Sequence, residues 1–248
     1  MAGAKIRLCV DHPLGPGQSL PLTEAQAHYL FGVMRIGVGT ELLVFNGRDG
    51  EWRAWVASAG KRGGILTCEE ETRPQRTAPD LWLLFAPVKK ARTDFIVEKA
   101  VELGAARLLP VQSDFTNAER IRPDKMEAHV REAAEQCETT FLPEVTPLQP
   151  LDRLLAGWDA ARRILWADES AVRGAGGASC PATLFAGLQP GPWAILIGPE
   201  GGFSDKERAR LRGLPFVVPV ALGPRILRAE TAALSLMTLW QAHLGDWR

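Results

Sequence analysis

Apolar positions along this chain follow two different patterns. From Ile6 to about Cys68 they come in short runs, Ile6 to Val10, Glu41 to Phe45, Trp52 to Ser58 and Ile65 to Cys68, punctuated by Asn46-Gly47 and Gly63-Gly64. Short runs closed by turn residues predict the strands of a small β-barrel or sandwich. One helix interrupts them: Thr23 followed by Gln26 is a capping-box start, leading through His28 to Val33-Met34-Arg35-Ile36 and Gly37-Val38-Gly39.

From Leu81 onward apolar runs alternate with helical periodicity. Strands are expected at Leu81 to Pro87, Arg107 to Val111, Ile164 to Ala167, Trp193 to Ile197 and Phe216 to Val220, and helices at about Arg92 to Leu103, Asp124 to Glu138, Ser204 to Arg212 and Ala229 to Leu244. That alternation predicts an α/β domain with a mostly parallel sheet covered on both faces, whose strands are continuously apolar because both sides are buried. Between the two patterns the stretch Glu69 to Asp80 is polar and carries two prolines, and it reads as a linker. The expected organisation is therefore a β-domain over residues 1–70, a linker over 71–80 and an α/β domain over 81–248.

Composition narrows the function classes. The chain has 248 residues, 46% hydrophobic and 23% charged, ordinary values for a globular protein. Basic and acidic residues balance at 29 each, which counts against a nonspecific polyanion coat but leaves room for a local basic footprint. Residues 1–68 carry seven basic and five acidic side chains, a mild excess. No apolar run approaches the roughly 18 residues of a membrane helix. Lys5, Arg7 and Asp11 interrupt any signal-like stretch, so a cytoplasmic protein without a membrane partner is expected. Cys9, Cys68, Cys137 and Cys180 are dispersed with no Cys-x-x-Cys pair, so no metal site is expected and the thiols read as reduced and mostly buried.

Two glycine-proline loops carry the candidate chemistry. Leu196-Ile197-Gly198-Pro199-Glu200-Gly201-Gly202-Phe203 closes one apolar run, and Leu222-Gly223-Pro224-Arg225-Ile226-Leu227-Arg228-Ala229-Glu230-Thr231 closes the next. In parallel sheets ligands bind beyond the carboxyl ends of strands, where both loops lie. Glycines there permit positive φ and close backbone approach. Ser204 and Glu207 form a capping box that satisfies the following helix's own first amides, and the spacing matches no phosphate-binding fingerprint. The first loop alone fits a plain strand-to-helix turn; the two together fit a crevice for a ligand with apolar and hydrogen-bonding faces, such as an adenosine. The last helix is apolar on most of its circumference, as for a core helix or one that also forms a subunit interface.

These residues resemble a known family, the RsmE-like SPOUT methyltransferases that methylate the ring N3 of a uridine in small-subunit (16S) ribosomal RNA. The resemblance runs nearly end to end. It is carried by His28 to Arg35 with Gly37-Val38-Gly39, by Lys99-Ala100-Val101-Glu102-Leu103-Gly104, by Glu132-Ala133-Ala134-Glu135-Gln136-Cys137 with Pro143-Glu144, and above all by the two loops. It implies an N-terminal PUA-like β-barrel that holds RNA and a SPOUT-type α/β domain with a deep C-terminal trefoil knot. It further implies S-adenosylmethionine (SAM) as cofactor, a homodimer, and 16S ribosomal RNA within the small subunit as partner. Leu196, Ile197, Gly198, Pro199, Glu200, Gly201, Gly202, Leu222, Gly223, Ile226, Leu227 and Thr231 are the implied cofactor-binding residues, and Arg7, His28, Arg35, Arg120 and Arg122 the implied RNA contacts. The sequence departs from the family pattern at Glu138 and Thr139, where many relatives carry Gly-Arg, and at Asp114, where a basic residue is expected.

Uracil N3 carries a proton, so methylation there needs a base or a cation that stabilises the uracil anion. Arg228 suits the cation; Glu200 or Glu230 suits the proton acceptor, while Glu230 also fits a helix-dipole role in a first turn. Cys137 reads as a packing residue, because N-methylation requires no covalent adduct. Two other functions fit the sequence: a SPOUT relative acting on another RNA position, and a noncatalytic RNA-binding or ribosome-assembly protein of the same fold.

Overall fold

The computed structural model describes residues 6–117, 121–170 and 179–248. The chain divides into two units, one of residues 1–77 and 131–142, the other of residues 78–130 and 143–248.

The first unit is built on a five-stranded sheet. Its strands are β1 (Arg7–Cys9), β2 (Ser19–Pro21), β3 (Glu41–Phe45), β4 (Glu51–Gly60) and β5 (Gly63–Arg73), in the order β1-β3-β4-β5-β2. β1 pairs with β3 in parallel and the other neighbours are antiparallel. Alternation sends Leu42, Val44, Ala54, Val56 and Leu66 inward to a core closed by Leu8, Leu20 and Leu30. Register shifts in the long β4/β5 ladder bend those strands. The helix α1 (Glu24–Ala27) carries the expected capping box of Thr23 and Gln26, and it runs on into a π-helical turn, His28–Val33.

β5 corrects the linker expectation. It continues through Glu69 to Arg73, with Trp52 opposite Glu71 and Glu51 opposite Arg73. Its last residues pair through the backbone while their side chains stay largely in water, so no apolar periodicity marked them as strand.

Arg7, expected among the RNA contacts, is also corrected: its side chain is buried. Its Nε meets Glu51 Oε2 at 2.5 Å, its two terminal nitrogens donate to the carbonyls of Ala134 and Thr139, and its guanidinium lies 3.7 Å from the Phe45 ring centroid. A cation so fully engaged is a structural strut. Glu138 and Thr139, two departures from the family pattern, belong to the same assembly: Glu138 pairs with Arg73 at 2.6 Å, and Thr139 supplies a carbonyl to Arg7. Cys9 is buried and hydrogen-bonded through its N–H to Glu135, and burial pushes its thiol up to about 11. Cys68 is buried too, whereas Cys137 and Cys180 are exposed, contrary to the expectation that most thiols are covered.

The second unit is the expected α/β layer. Strands β6 (Leu81–Phe85), β7 (Arg107–Gln112), β8 (Glu144–Val145), β10 (Arg163–Ala167), β11 (Trp193–Ile197) and β12 (Val217–Val220) run in the order β12-β10-β11-β6-β7-β8, and a short β9 (Gln149–Pro150) pairs with β7. Every pairing is parallel. The helices are α2 (Lys90–Glu102), α3 (Pro123–Cys137), α4 (Leu151–Ala156), α5 (Pro181–Leu184), α6 (Asp205–Arg212) and α7 (Ala229–Leu244). α3 ends in the segment that belongs to the first unit. β11 is buried along its whole length, as a central parallel strand requires. On α7, Ala233, Leu236, Met237 and Trp240 are buried while Thr231 and Thr238 are exposed. The buried Gln241 donates to the Leu103 carbonyl at 2.6 Å, closing the end of α2.

Candidate active site

The strand order assembles the site. β10 lies between β11 and β12, with Trp166 opposite Leu196 and Ala167 opposite Val220, so three consecutive carboxyl ends emerge side by side. The turns that follow them, beginning at Asp168, Gly198 and Ala221, meet over one cavity of about 200 Å³. Ile197, Val220, Leu222, Ile226, Leu227 and Ala232 give it apolar walls. Gly198, Pro199, Glu200 and Gly202 from the first loop, and Arg225 and Arg228 from the second, complete its lining.

The glycines of the first loop serve different ends. Only Gly202 takes a positive φ, +70°. A Cβ there would also collide with a carboxylate oxygen of Glu169. Gly198 makes room inward, since a Cβ at this position would lie 2.7 Å from the Phe203 ring. That ring packs edge-on against Trp166, centroids 5.9 Å apart, so the loop folds back onto the sheet. The expected capping box then starts α6: Ser204 Oγ accepts from Glu207 N–H, and the Glu207 carboxylate accepts from the N–H groups of Ser204 and Asp114. Asp114, the third departure from the family pattern, accepts from Ser204 Oγ at 2.5 Å and fixes the loop after β7 to this helix start.

Two acidic residues of the site escaped the sequence reading. Asp168 is 2% exposed and accepts from Ser170 N–H, Ser170 Oγ and Arg212, the last at 2.9 Å. Glu169 accepts from Phe203 N–H and from Arg208, each at 3.3 Å. An apolar run ending in Asp-Glu at a strand's carboxyl edge was the available sign of both. Arg92 on α2 was missed as well. It sits 3.4 Å from Glu200 and 3.6 Å from Glu230, joining the first loop to the start of α7.

Of the residues expected to bind cofactor, Ile197, Gly198, Pro199, Glu200, Gly202, Leu222, Ile226 and Leu227 line the cavity; Leu196, Gly201, Gly223 and Thr231 do not. Leu196 is buried in β11 behind it, and Gly223 takes φ +88° at the bend of the second loop. Arg228 lines the cavity, exposed at the N-cap of α7, and its guanidinium has no hydrogen-bond or ion-pair partner among the described residues. Glu200 lines it also. Glu230 is not on its wall: it lies in the first turn of α7 against Arg92, with one carboxylate oxygen buried and unpartnered among the described residues.

In the first unit His28 and Arg35 are exposed, and Arg35 takes φ +56° just after the π-helical turn. Tyr29, Val33, Met34 and Val38 are exposed beside them in sequence. Arg122 is exposed but paired with Asp124 at 2.7 Å, and Arg120 lies outside the described residues. Among the described residues no cluster of three or more His, Cys, Asp or Glu side chains is placed to hold a metal ion, and no helix is long and apolar enough to cross a membrane.

The chain joins a parallel α/β unit, with a lined cavity at its carboxyl edge, to a second unit built on a β-sheet, and sequence comparison gives that pair its class. The RNA methyltransferase domain matches residues 75–241 and the RNA methyltransferase PUA domain matches residues 22–67. The chain belongs to this RNA methyltransferase family. Among its relatives, the Ribosomal RNA small subunit methyltransferase E of Rickettsia conorii is 26% identical over 92% of each chain. The protein of the same name from Synechocystis sp. is 31% identical over 86% of this chain and 70% of its own. A methyltransferase from Legionella pneumophila, solved with bound cofactor SAM, superposes with a TM-score of 0.86 at 27% identity, covering 97% of this chain and 98% of that one. The α/β methyltransferase domain and the PUA-like domain expected from the motifs are thus the folds observed.

Proposed function

We propose that this protein transfers the methyl group of SAM to the ring N3 of a uridine in small-subunit ribosomal RNA. The observation that carries the proposal is the cavity at the joined ends of β10, β11 and β12, with apolar walls, glycine backbone and an uncompensated arginine on its rim. Those parts fit the cofactor: Ile197, Leu222, Ile226 and Leu227 suit an adenine ring, the Gly198 and Gly202 backbone suits its polar edge, and Glu169 and Glu200 favour a cationic sulfonium. SAM, when bound, supplies an electrophilic methyl group. The chain's task is to align the acceptor nitrogen with that carbon and keep water out.

Glu200 is the better proton acceptor of the two carboxylates, because it lines the cavity and Glu230 does not, while Arg92 contacts both. Arg228 faces the negative charge that develops on a uracil oxygen as the N3 proton leaves. His28 and Arg35 are the proposed RNA contacts in the first unit, where an exposed guanidinium suits phosphate. A homodimer, a cytoplasmic location and the trefoil knot belong to the same reading.

Two variants test the site. Gly202→Ala forces a side chain into left-handed backbone, costing about 1–2 kcal/mol, and displaces Glu169; SAM affinity is expected to fall by roughly tenfold, read by calorimetry. Undiminished affinity would remove this loop from the cofactor site. Cys137→Ala is expected to retain wild-type turnover, since this exposed thiol is not on the cavity wall. The function itself is tested by mass-spectrometric nucleoside analysis of small-subunit ribosomal RNA from cells lacking the protein and from complemented cells. Loss and recovery of 3-methyluridine is the expected result. Unchanged 3-methyluridine overturns the proposed target.

A further inference from the structure

A second depression adjoins the cavity, and Glu169, Glu200, Gly202 and Ile226 line both. We propose that it is the subsite for the acceptor base, with Phe115 as the platform on which that base stacks. The inference rests on the methyl-transfer reading and deepens it.

Phe115 follows β7 in the loop fixed to the start of α6. Its side chain remains 46% exposed although the turn that carries it is thoroughly held: Ser113 N–H donates to Thr116 Oγ1 at 2.8 Å, Thr116 N–H to the Ser113 carbonyl at 3.1 Å, and Asp114 N–H to Glu207 at 2.9 Å. An aromatic ring presented to water on a braced turn is a preorganised surface. Gly201 explains its placement. A Cβ at position 201 would come within 3.0 Å of Phe115 Cβ, so the missing side chain lets the phenylalanine stand hard against the glycine loop. Gly201 therefore serves this contact and not the cofactor cavity, where the motif had placed it. Ile226, 58% exposed, offers a second apolar edge.

The charges select the ligand. Both arginines of the depression have carboxylate partners: Arg208 pairs with Glu169 and Asp205, and Arg212 with Asp168 at 2.9 Å. Glu200 adds negative charge. A phosphate finds no uncompensated cation here, whereas an uncharged planar heterocycle finds an aromatic face and carboxylate acceptors. Enzymes that modify a base must extrude it from the nucleic-acid stack into a pocket, and an aromatic side chain there takes the place of the neighbouring bases. The acceptor nitrogen must also reach the donor carbon to within about 3–3.5 Å, which needs a base pocket that shares a wall with the cofactor cavity.

The test compares Phe115→Ala, Phe115→Leu and Phe115→Trp on small-subunit particles from cells lacking the protein. SAM affinity and melting temperature are measured alongside. Alanine and leucine are expected to lower kcat/KM for the particles by about 5- to 150-fold, tryptophan to recover most of it, and SAM affinity and melting temperature to stay at wild-type values. A leucine variant as active as wild type would assign Phe115 to packing alone, and a parallel loss of SAM affinity would assign it to the cofactor; either overturns the subsite. Wild-type protein that leaves the RNA unmethylated overturns the methyl-transfer reading and the subsite with it. Active wild-type protein with an unaffected alanine variant overturns the subsite only.

Discussion

Arg228→Ala is expected to lower methyl-transfer turnover by about 10²–10³-fold while leaving SAM affinity and thermal stability near wild type. Arg228 occupies the N-cap of α7 with extended backbone, φ −67° and ψ 157°, and offers no side-chain cap bond that its loss would remove. No carboxylate neutralises it among the described residues, unlike Arg92, Arg208 and Arg212, which are each engaged. An unpaired cation at the rim of a cavity costs little to delete in the resting protein and much when negative charge appears before it. Arg228→Lys keeps the charge but loses the planar fork, so turnover between those of alanine and wild type is expected. Single-turnover rates and calorimetric affinities measured on the same preparations decide the matter. Parallel losses in rate and affinity would sink the anion-stabilising role and make Arg228 a cofactor contact.

Glu51→Ala is expected to have the largest effect on stability, a loss of about 3–5 kcal/mol against the roughly 5–15 kcal/mol that hold a typical domain together. Glu51 is 1% exposed and receives Arg7 at 2.5 Å, Arg73 at 3.2 Å and Thr72 Oγ1 at 2.9 Å. Its removal strands the Arg7 guanidinium, itself buried, with no other carboxylate in an ion pair with it among the described residues. Glu51→Gln keeps a hydrogen-bond acceptor and the packing volume, so a smaller loss is expected. Denaturant melts followed by tryptophan fluorescence report both, since Trp52 stands next in the strand. A loss below about 1 kcal/mol for the alanine variant would mean that water reaches Arg7 in solution.

What was legible in the sequence was local. β11, α6 and α7 emerge where apolar runs, the Ser204–Glu207 box and the helical period put them, because each is decided within a few residues. The two loops stand out for the same reason. Long-range partners were invisible. Nothing near Asp168 and Glu169 announces that β10 separates β11 from β12 and so brings these two residues to the centre of the site. Arg92 meets its carboxylate Glu200 across 108 positions of chain. Arg7, an RNA contact by resemblance alone, alternates with Leu8 and so points away from the sheet's core, and the covering carbonyl of Ala134 comes from 127 residues downstream. Gly198 and Gly201 resembled ligand-cradling positions, yet each leaves space for a phenylalanine of the protein itself. At Gly201 that packing is the contact the structure shows, and at Gly198 it stands beside a place in the cavity lining.

The chain enters its first unit twice, and heredity must respect that. A break after Thr77 would remove the Ala134 and Thr139 carbonyls that hold Arg7 and the Glu135 carboxylate that holds the Cys9 N–H. Moving this β-domain into another protein therefore takes cuts after residues 77, 130 and 142. Drift in the segment 131–142 is constrained by β1, whose Arg7 and Cys9 meet it across 127 and 126 positions of chain.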